Sequence, residues 1–109
     1  MEIHYANKKL EDICLKRRVA EKKLGHNCAQ KLSRRLLELN AAEKVSDLIA
    51  GRPHPLTGDR AGQMALDLDG AFRLVFASAN SPCPTNLDGA INWTQVTIVE
   101  IQYIGNYHD

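Results

Sequence analysis

The stretch that decides the fold is residues 54–76, HPLTGDRAGQMALDLDGAFRLVF. Apolar residues occupy every second position on both sides of an Asp69-Gly70 pair: Met64, Leu66 and Leu68 before it, and Phe72, Leu74 and Phe76 after it. A period of two is typical of a strand with one buried face, and Asp-Gly between two such runs is a strong hairpin signal. The sequence therefore predicts two antiparallel strands joined by a tight turn.

The residues before this hairpin have the three- and four-residue apolar spacing of amphipathic helices. We predict one helix over residues 8–24, capped by Asn7 and ended by Gly25, and a second helix capped by Asn27. The buried face of the second helix is predicted to hold Cys28, Leu32, Leu36 and Leu39. Residues 2–5 predict a short first strand, and a last helical turn is expected at Val45, Leu48 and Ile49.

The residues after the hairpin predict a loop and a closing strand. Residues 78–93 contain Pro82 and Pro84, which favour a long loop or an extended hairpin tip over a central strand. Residues 94–104 are rich in β-branched side chains and predict the last strand. The resulting fold class is α+β: an N-terminal αα-hairpin packed on a small, mainly antiparallel β-sheet. With no repeat or linker, we expect one domain over residues 1–109.

The composition is that of a soluble globular protein, with 44% apolar and 25% charged residues. No apolar run is long enough to span a membrane, and the charged residues close to Met1 argue against a signal peptide. Cys14, Cys28 and Cys83 have no CxxC spacing, so we expect reduced thiols in a cytoplasmic protein. The Cys and His positions also lack zinc-ligand spacing, and neither a metal nor a cofactor is expected.

The net charge of +1 conceals an uneven distribution. Residues 1–52 carry 12 Lys or Arg against 7 Asp or Glu, whereas residues 53–109 carry 2 against 6. A basic helical half suits a polyanion such as RNA, or an acidic partner segment. The alternative is an ordinary solvated helix surface.

A few residues have chemistry suited to cutting RNA: His54, Arg60, Arg73 and the Tyr107-His108 pair. Attack by the RNA 2′-hydroxyl needs a base, an acid for the departing 5′-oxygen, and positive charge near the phosphorane. Histidine can serve as acid or base, arginine grips phosphate, and tyrosine can stack on an unpaired base. Each also has a structural alternative, because Arg60 could fix the Gly-x-Arg-x-Gly turn and both histidines could simply be solvated.

Three segments together resemble a known family. Residues 54–62 (HPLTGDRAG) resemble the H-P-L-K-G-x-R-x-G stretch of HigB-type toxins in the RelE/ParE superfamily, a group that includes plasmid maintenance killer proteins. Residues 71–76 (AFRLVF) resemble the superfamily's W/Y-R-I/L-x-F strand. Residues 96–108 (VTIVEIQYIGNYH) resemble its closing strand and D-Y-H tail. The resemblance covers the chain from about residue 36 to its end.

The resemblance implies a RelE/ParE-like fold and a toxin of a type II toxin–antitoxin system. Such a toxin is a metal-independent endoribonuclease (an mRNA interferase) that cuts mRNA on the translating ribosome by 2′-hydroxyl attack. By position, His54 and His108 fall on catalytic histidines of the family. Arg73 falls on the arginine at the scissile phosphate, and Tyr107 on the aromatic residue of the tail.

The chain departs from the family pattern at two positions. Thr57 stands where the family has lysine, and Asn106 where it has aspartate. The first change removes a positive charge and the second a proton acceptor, and losing one such stabiliser can cost on the order of 10²–10³ in rate. Arg60, Arg52 and Asn106 are the candidate residues for binding RNA phosphate or fixing a turn, and Arg60 or Arg52 could supply the missing charge.

Two alternatives to the nuclease stay open. One is a non-catalytic ParE-like toxin that binds gyrase, and the other is an inactive relative kept for antitoxin binding and operon autoregulation. The resemblance also implies partners. These are the ribosome and its mRNA, and a cognate antitoxin that is HigA-like and of the helix-turn-helix type. Operator DNA is expected to bind the toxin–antitoxin complex rather than the toxin alone, and no membrane partner is expected.

Overall fold

The computed structural model describes residues 1–107. Eight elements form the fold: β1 Glu2–Tyr5, α1 Lys8–Leu15, α2 Arg17–Leu24, α3 His26–Ala41, β2 His54–Pro55, β3 Gln63–Asp67, β4 Arg73–Ser78 and β5 Ile98–Gly105. Three short 3-10 turns join them: Val45–Asp47, Gly58–Arg60 and Trp93–Gln95. In the described residues no helix combines the length and the apolar character needed to cross a membrane.

The strands form one sheet in the order β1-β5-β4-β3-β2. All neighbours are antiparallel except β1, which runs parallel to β5. The β3–β4 hairpin pairs Asp67 with Arg73, and its turn is closed by the Phe72 amide donating to the Asp69 carbonyl over 3.0 Å. Gly70 has φ +55, which explains why glycine follows aspartate there. The predicted α+β class and the predicted hairpin are both confirmed.

The helix predicted over residues 8–24 is wrong in one respect, because it is two helices. Lys16 is extended, with φ −118 and ψ 105, and separates α1 from α2. A continuous helix would place Arg17 four residues after Ile13 and three before Ala20, in the middle of the apolar stripe. The break takes Arg17 out of that stripe. In its actual position Arg17 donates from Nε to Glu21 over 3.1 Å and from Nη1 to Ser33 over 3.3 Å.

The predicted cap of the second long helix is also wrong. Gly25, not Asn27, is the N-cap of α3, and the same glycine ends α2. Its φ of +84 lets the chain turn between the two helices within a single residue, so Asn27 falls inside the first turn of α3. The later helical turn begins at Val45 as predicted but is a 3-10 turn that ends at Asp47.

The main core lies between the helices and one face of the sheet. It contains Leu32 and Leu39 of α3 together with Phe76 and Ile101 of the central strands, all at most 1% exposed. Ala65 and Val75 are also fully buried, but they point to the opposite face of the sheet. The prediction of strands with one buried face was therefore wrong at the centres of β3 and β4, where one residue of each strand is buried on the outer face too.

Residues 79–92 form an ordered hairpin tip, one of the two predicted alternatives. Thr85 and Ile91 form a bridge, and the Gly89 amide donates to the Asn86 carbonyl over 3.0 Å. Asn80 fixes the base of this loop, because its Oδ1 accepts from the amides of Thr97 and Ile98. The last strand starts at Ile98 rather than residue 94, since Trp93–Gln95 is a 3-10 turn.

Candidate functional site

The sheet carries an open cleft of about 740 Å³ on its outer face. Five of the seven predicted site residues line it: Arg52, His54, Arg60, Arg73 and Tyr107. They come from a loop, from β2, from a 3-10 turn, from β4 and from the segment after β5, so only the folded chain brings them together. Thr57 and Asp59 complete the polar part of the lining.

Hydrogen bonding fixes the tautomer of His54. Its Nδ1 lies 2.7 Å from the carbonyl oxygen of Arg52. A carbonyl oxygen can only accept, so Nδ1 carries the proton and Nε2 of the neutral ring keeps its lone pair. Arg52 itself has φ +49, a conformation that non-glycine residues rarely adopt. His54 is thus arranged to accept a proton through Nε2.

Asp67 couples two of the cleft arginines. Arg52 donates to both carboxylate oxygens, from Nε over 2.9 Å and from Nη2 over 3.3 Å. Arg73 Nε lies 2.8 Å from Oδ1 at an angle that makes an ion pair rather than a hydrogen bond. The hydrogen bonds that Arg52 donates to Asp67, and then the negative charge of Asp67, raise the pKa of Arg52, and Tyr107 adds a smaller electrostatic effect in the same direction.

Arg73 is further held by its own hairpin. Its Nη1 donates to the carbonyl oxygens of Gly70 over 3.0 Å and of Phe72 over 2.9 Å. Its side chain is only 15% exposed, compared with 63% for Arg52. Arg73 is therefore the fixed arginine of the cleft and Arg52 the accessible one.

Arg60 links the 3-10 turn to the last strand. Its guanidinium carbon lies 4.5 Å from the ring centre of Tyr103 and 5.6 Å from that of Tyr107. Its Nη1 also donates to the side-chain oxygen of Gln63 over 3.3 Å. Cation–π contacts of this kind stabilise both the arginine and the rings. Arg60 thus holds the turn against β5 while its charge borders the cleft.

The other two predicted residues belong to the C-terminal tail. Asn106 directly follows β5 and is half-buried. His108 lies outside the described residues, so its catalytic assignment stays a prediction. In the part of the chain that the structure describes, no three His, Cys, Asp or Glu side chains come together as a metal site would require.

Sequence reasoning missed Asp67 and Tyr103, although the signals were present. A hairpin turning at Asp69-Gly70 places Asp67 directly opposite Arg73. Tyr103 pairs with Val75 in the sheet, so it stands on the outer face beside the buried Ala65 and Val75. The alternation along β5 indicated that Tyr103 lies on the outer face. Its contact with Arg60 could not be predicted, because it depends on the position of the Gly58–Arg60 turn.

Comparison with known proteins gives structural likeness alone, since no protein-family model and no curated protein sequence matches the chain. A YoeB/ParE toxin from Agrobacterium tumefaciens superimposes with a TM-score of 0.62 at 14% identity, covering 98% of this chain and 99% of that one. A YoeB-YefM complex from Staphylococcus aureus gives a TM-score of 0.59 at 14% identity, covering 100% of this chain and 98% of the other.

These likenesses define a class of fold. The chain has the fold of YoeB/ParE-type toxins, as the resemblance to the RelE/ParE superfamily implied. At 14% identity they establish the fold and not the activity, and they do not single out the HigB branch.

Proposed function

We propose that this chain is the toxin of a type II toxin–antitoxin system and an endoribonuclease that cuts mRNA on the ribosome. The observation that carries the proposal is the cleft itself, which gathers a histidine with a defined proton-accepting nitrogen, three arginines and a tyrosine. The toxin fold and the segments that resemble HigB-type toxins support it. The protein would act in the cytoplasm, where translating ribosomes are found.

In the proposed reaction, His54 Nε2 takes the proton from a ribose 2′-hydroxyl, and the 2′-oxygen attacks the adjacent phosphorus. The bond from phosphorus to the 5′-oxygen breaks, which leaves a 2′,3′-cyclic phosphate on one fragment. The departing 5′-oxygen takes a proton from a general acid, for which we propose His108, the second histidine that the resemblance marks as catalytic. The arginines stabilise the charge on the non-bridging oxygens, so no metal is required.

In the proposed nuclease, an arginine of the cleft would supply the positive charge that the family's lysine carries and Thr57 lacks. Arg52 and Arg73 share the carboxylate of Asp67, whereas Arg60, among residues 1–107, contacts two aromatic rings and the neutral amide of Gln63. Arg60 follows Thr57 by three residues on the same turn, so it is the residue best placed to supply the charge. Arg60→Gln should then reduce activity more than Arg52→Gln does.

The test is induction of the chain in bacteria followed by primer extension on an abundant mRNA. We expect cleavage at in-frame positions that disappears in His54→Ala and His108→Ala. The matched control is His26→Ala, because His26 is exposed on α3 and contacts Glu21, away from the cleft. Purified protein that leaves mRNA intact on programmed ribosomes, even in large excess, would refute the nuclease.

The pairing of Arg52 and Arg73 with Asp67 favours one alternative, a toxin or inactive relative that binds without cutting. In such a protein the two arginines would have a structural role, in which they bind the carboxylate of Asp67 and not a phosphate group of RNA. Growth arrest without mRNA cleavage would support a bound target such as gyrase. No arrest at all would support a relative kept for antitoxin binding.

The proposed partner is an antitoxin of the helix-turn-helix type, HigA-like and encoded beside the toxin. One of the similar structures is itself described as a complex of YoeB with YefM. We expect co-expression with the antitoxin to prevent growth arrest, and the complex to bind operator DNA. Tight operator binding by the toxin alone in a gel-shift experiment would contradict this proposal.

A further inference from the structure

A second depression, of about 600 Å³, lies beside the cleft. The two share Pro55 and Leu56, which form the ridge between them. Beyond the ridge the walls are mainly apolar, with Trp93 and Ile91 on the far side. Gln63 also lines this depression, and it is hydrogen-bonded to Arg60 of the cleft. The second depression is thus a continuation of the cleft with a different chemical character.

Its far wall is held in place by the loop over residues 79–92. The bridge between Thr85 and Ile91 and the contacts of Asn80 fix the two ends of this loop. Trp93 makes a T-shaped contact with the buried Phe76, with ring centres 6.3 Å apart and planes at 88°. The indole is half-buried by this contact and still lines the depression. An aromatic side chain therefore lines the depression beside the cleft and is anchored to the core at the same time.

We propose that this depression, bounded by Trp93, Ile91 and Gln63, binds an unpaired nucleobase next to the phosphate held in the cleft. The inference rests on the proposed function, because it takes single-stranded RNA as the occupant of the cleft. Unpaired bases bind proteins by stacking on aromatic side chains and by hydrogen bonding at their edges. Trp93 supplies the aromatic surface, and the Gln63 amide supplies a polar group.

The chain contains one tryptophan, so its fluorescence reports on this site alone. The probe is a three-nucleotide RNA with 2′-O-methyl groups, which cannot be cleaved, and the comparison is the same backbone with abasic sugars. We expect the RNA to quench the fluorescence and to bind about ten-fold more tightly than the abasic backbone. Affinity is measured separately by calorimetry, so that binding without quenching can be detected.

Equal affinity for the two probes with unchanged fluorescence would overturn the base site and leave the phosphate cleft standing. No binding of either probe at millimolar concentration would overturn both the base site and the proposed RNA substrate. Quenching by the RNA but not by the abasic backbone supports the base site.

Variants separate stacking from folding. Trp93→Phe keeps an aromatic ring and should retain most of the affinity for the RNA, whereas Trp93→Leu should lose about ten-fold. Leu87→Ala, at the fully exposed tip of the same loop, is the control and should leave affinity unchanged. Affinity for the abasic backbone should be the same in all three, which identifies any general damage to the fold. Equal RNA affinity for the Phe and Leu variants would refute stacking.

Discussion

The carboxylate of Asp67 should be a stabilising element of the cleft, and Asp67→Asn tests this. The substitution preserves the size of the side chain and the backbone bonds of β3, but removes the negative charge between Arg52 and Arg73. Two positively charged side chains would then face each other across a neutral amide. We therefore expect a less stable protein whose cleft arginines are no longer held in one arrangement.

The size of the effect follows from the exposure of the two ion pairs. Arg52 is 63% exposed, so its pair with Asp67 is screened by solvent and should contribute little. Arg73 is 15% exposed and Asp67 29%, which places their pair between the surface range and the roughly 3–5 kcal/mol of a fully buried pair. Because Arg73 retains two carbonyl partners, we expect a total loss of about 2 kcal/mol, or a fall in Tm of about 10 °C.

Urea denaturation followed by far-UV circular dichroism measures this loss. The matched control is Asp69→Asn, two residues further along, where the carboxylate is 47% exposed and lies 3.5 Å from Lys31. That variant should lose less than about 0.5 kcal/mol. Arg52→Gln should also lose less than Asp67→Asn, because Arg73 keeps its partner. If Asp67→Asn and Asp69→Asn were equally stable, the reasoning would be refuted.

Three further predictions concern parts of the chain outside the cleft. Gly51→Ala should unfold at a lower urea concentration than Gly25→Ala. Both glycines have φ near +84, so the backbone strain is the same. A Cβ at Gly51 would lie 2.8 Å from Arg35 Nε, whereas one at Gly25 would meet nothing within 4 Å. Burial raises the pKa of Cys14 from 9.0 to about 12, so unfolding is favoured as pH rises through that interval, because the unfolded thiol ionises first. Cys14→Ala should weaken this alkaline loss of stability in denaturation curves measured between pH 8 and 11. Asn80→Ala removes the bonds at the base of the 79–92 loop and should speed amide hydrogen exchange at Thr97 and Ile98, with little effect in α3.

Local signals were sufficient for the central hairpin. The alternation on both sides of Asp69-Gly70 fixed the strands and the turn, and therefore also the register that sets Asp67 opposite Arg73. The break at Lys16 could have been read in the same way, since a straight helix would have put Arg17 on its apolar stripe. These features follow from spacing alone and need no knowledge of distant residues.

Other features depend on long-range contacts and could not be read from spacing. The parallel pairing of β1 with β5 joins residues more than 90 positions apart. Ala65 and Val75 are buried on the outer face beside Tyr103. Arg60, which comes from a separate turn, contacts that tyrosine. The motif residues could be named from the sequence. The sequence did not show which of them already form an ion pair or a hydrogen bond with another side chain.

The engagement of the arginines sets the electrostatics of the cleft. Arg52 and Arg73 share one carboxylate, so these three side chains carry one net positive charge, and in the proposed reaction the accessible Arg52 would exchange this partner for a phosphate. At the other end Arg60 is positioned by aromatic rings, which hold a cation without neutralising it. A phosphate between these two ends would be close to His54, whose free nitrogen is set by the Arg52 carbonyl. Residues 52–54 therefore contribute both an accessible arginine and the proposed base to the cleft, and the carbonyl of the first orients the ring of the second.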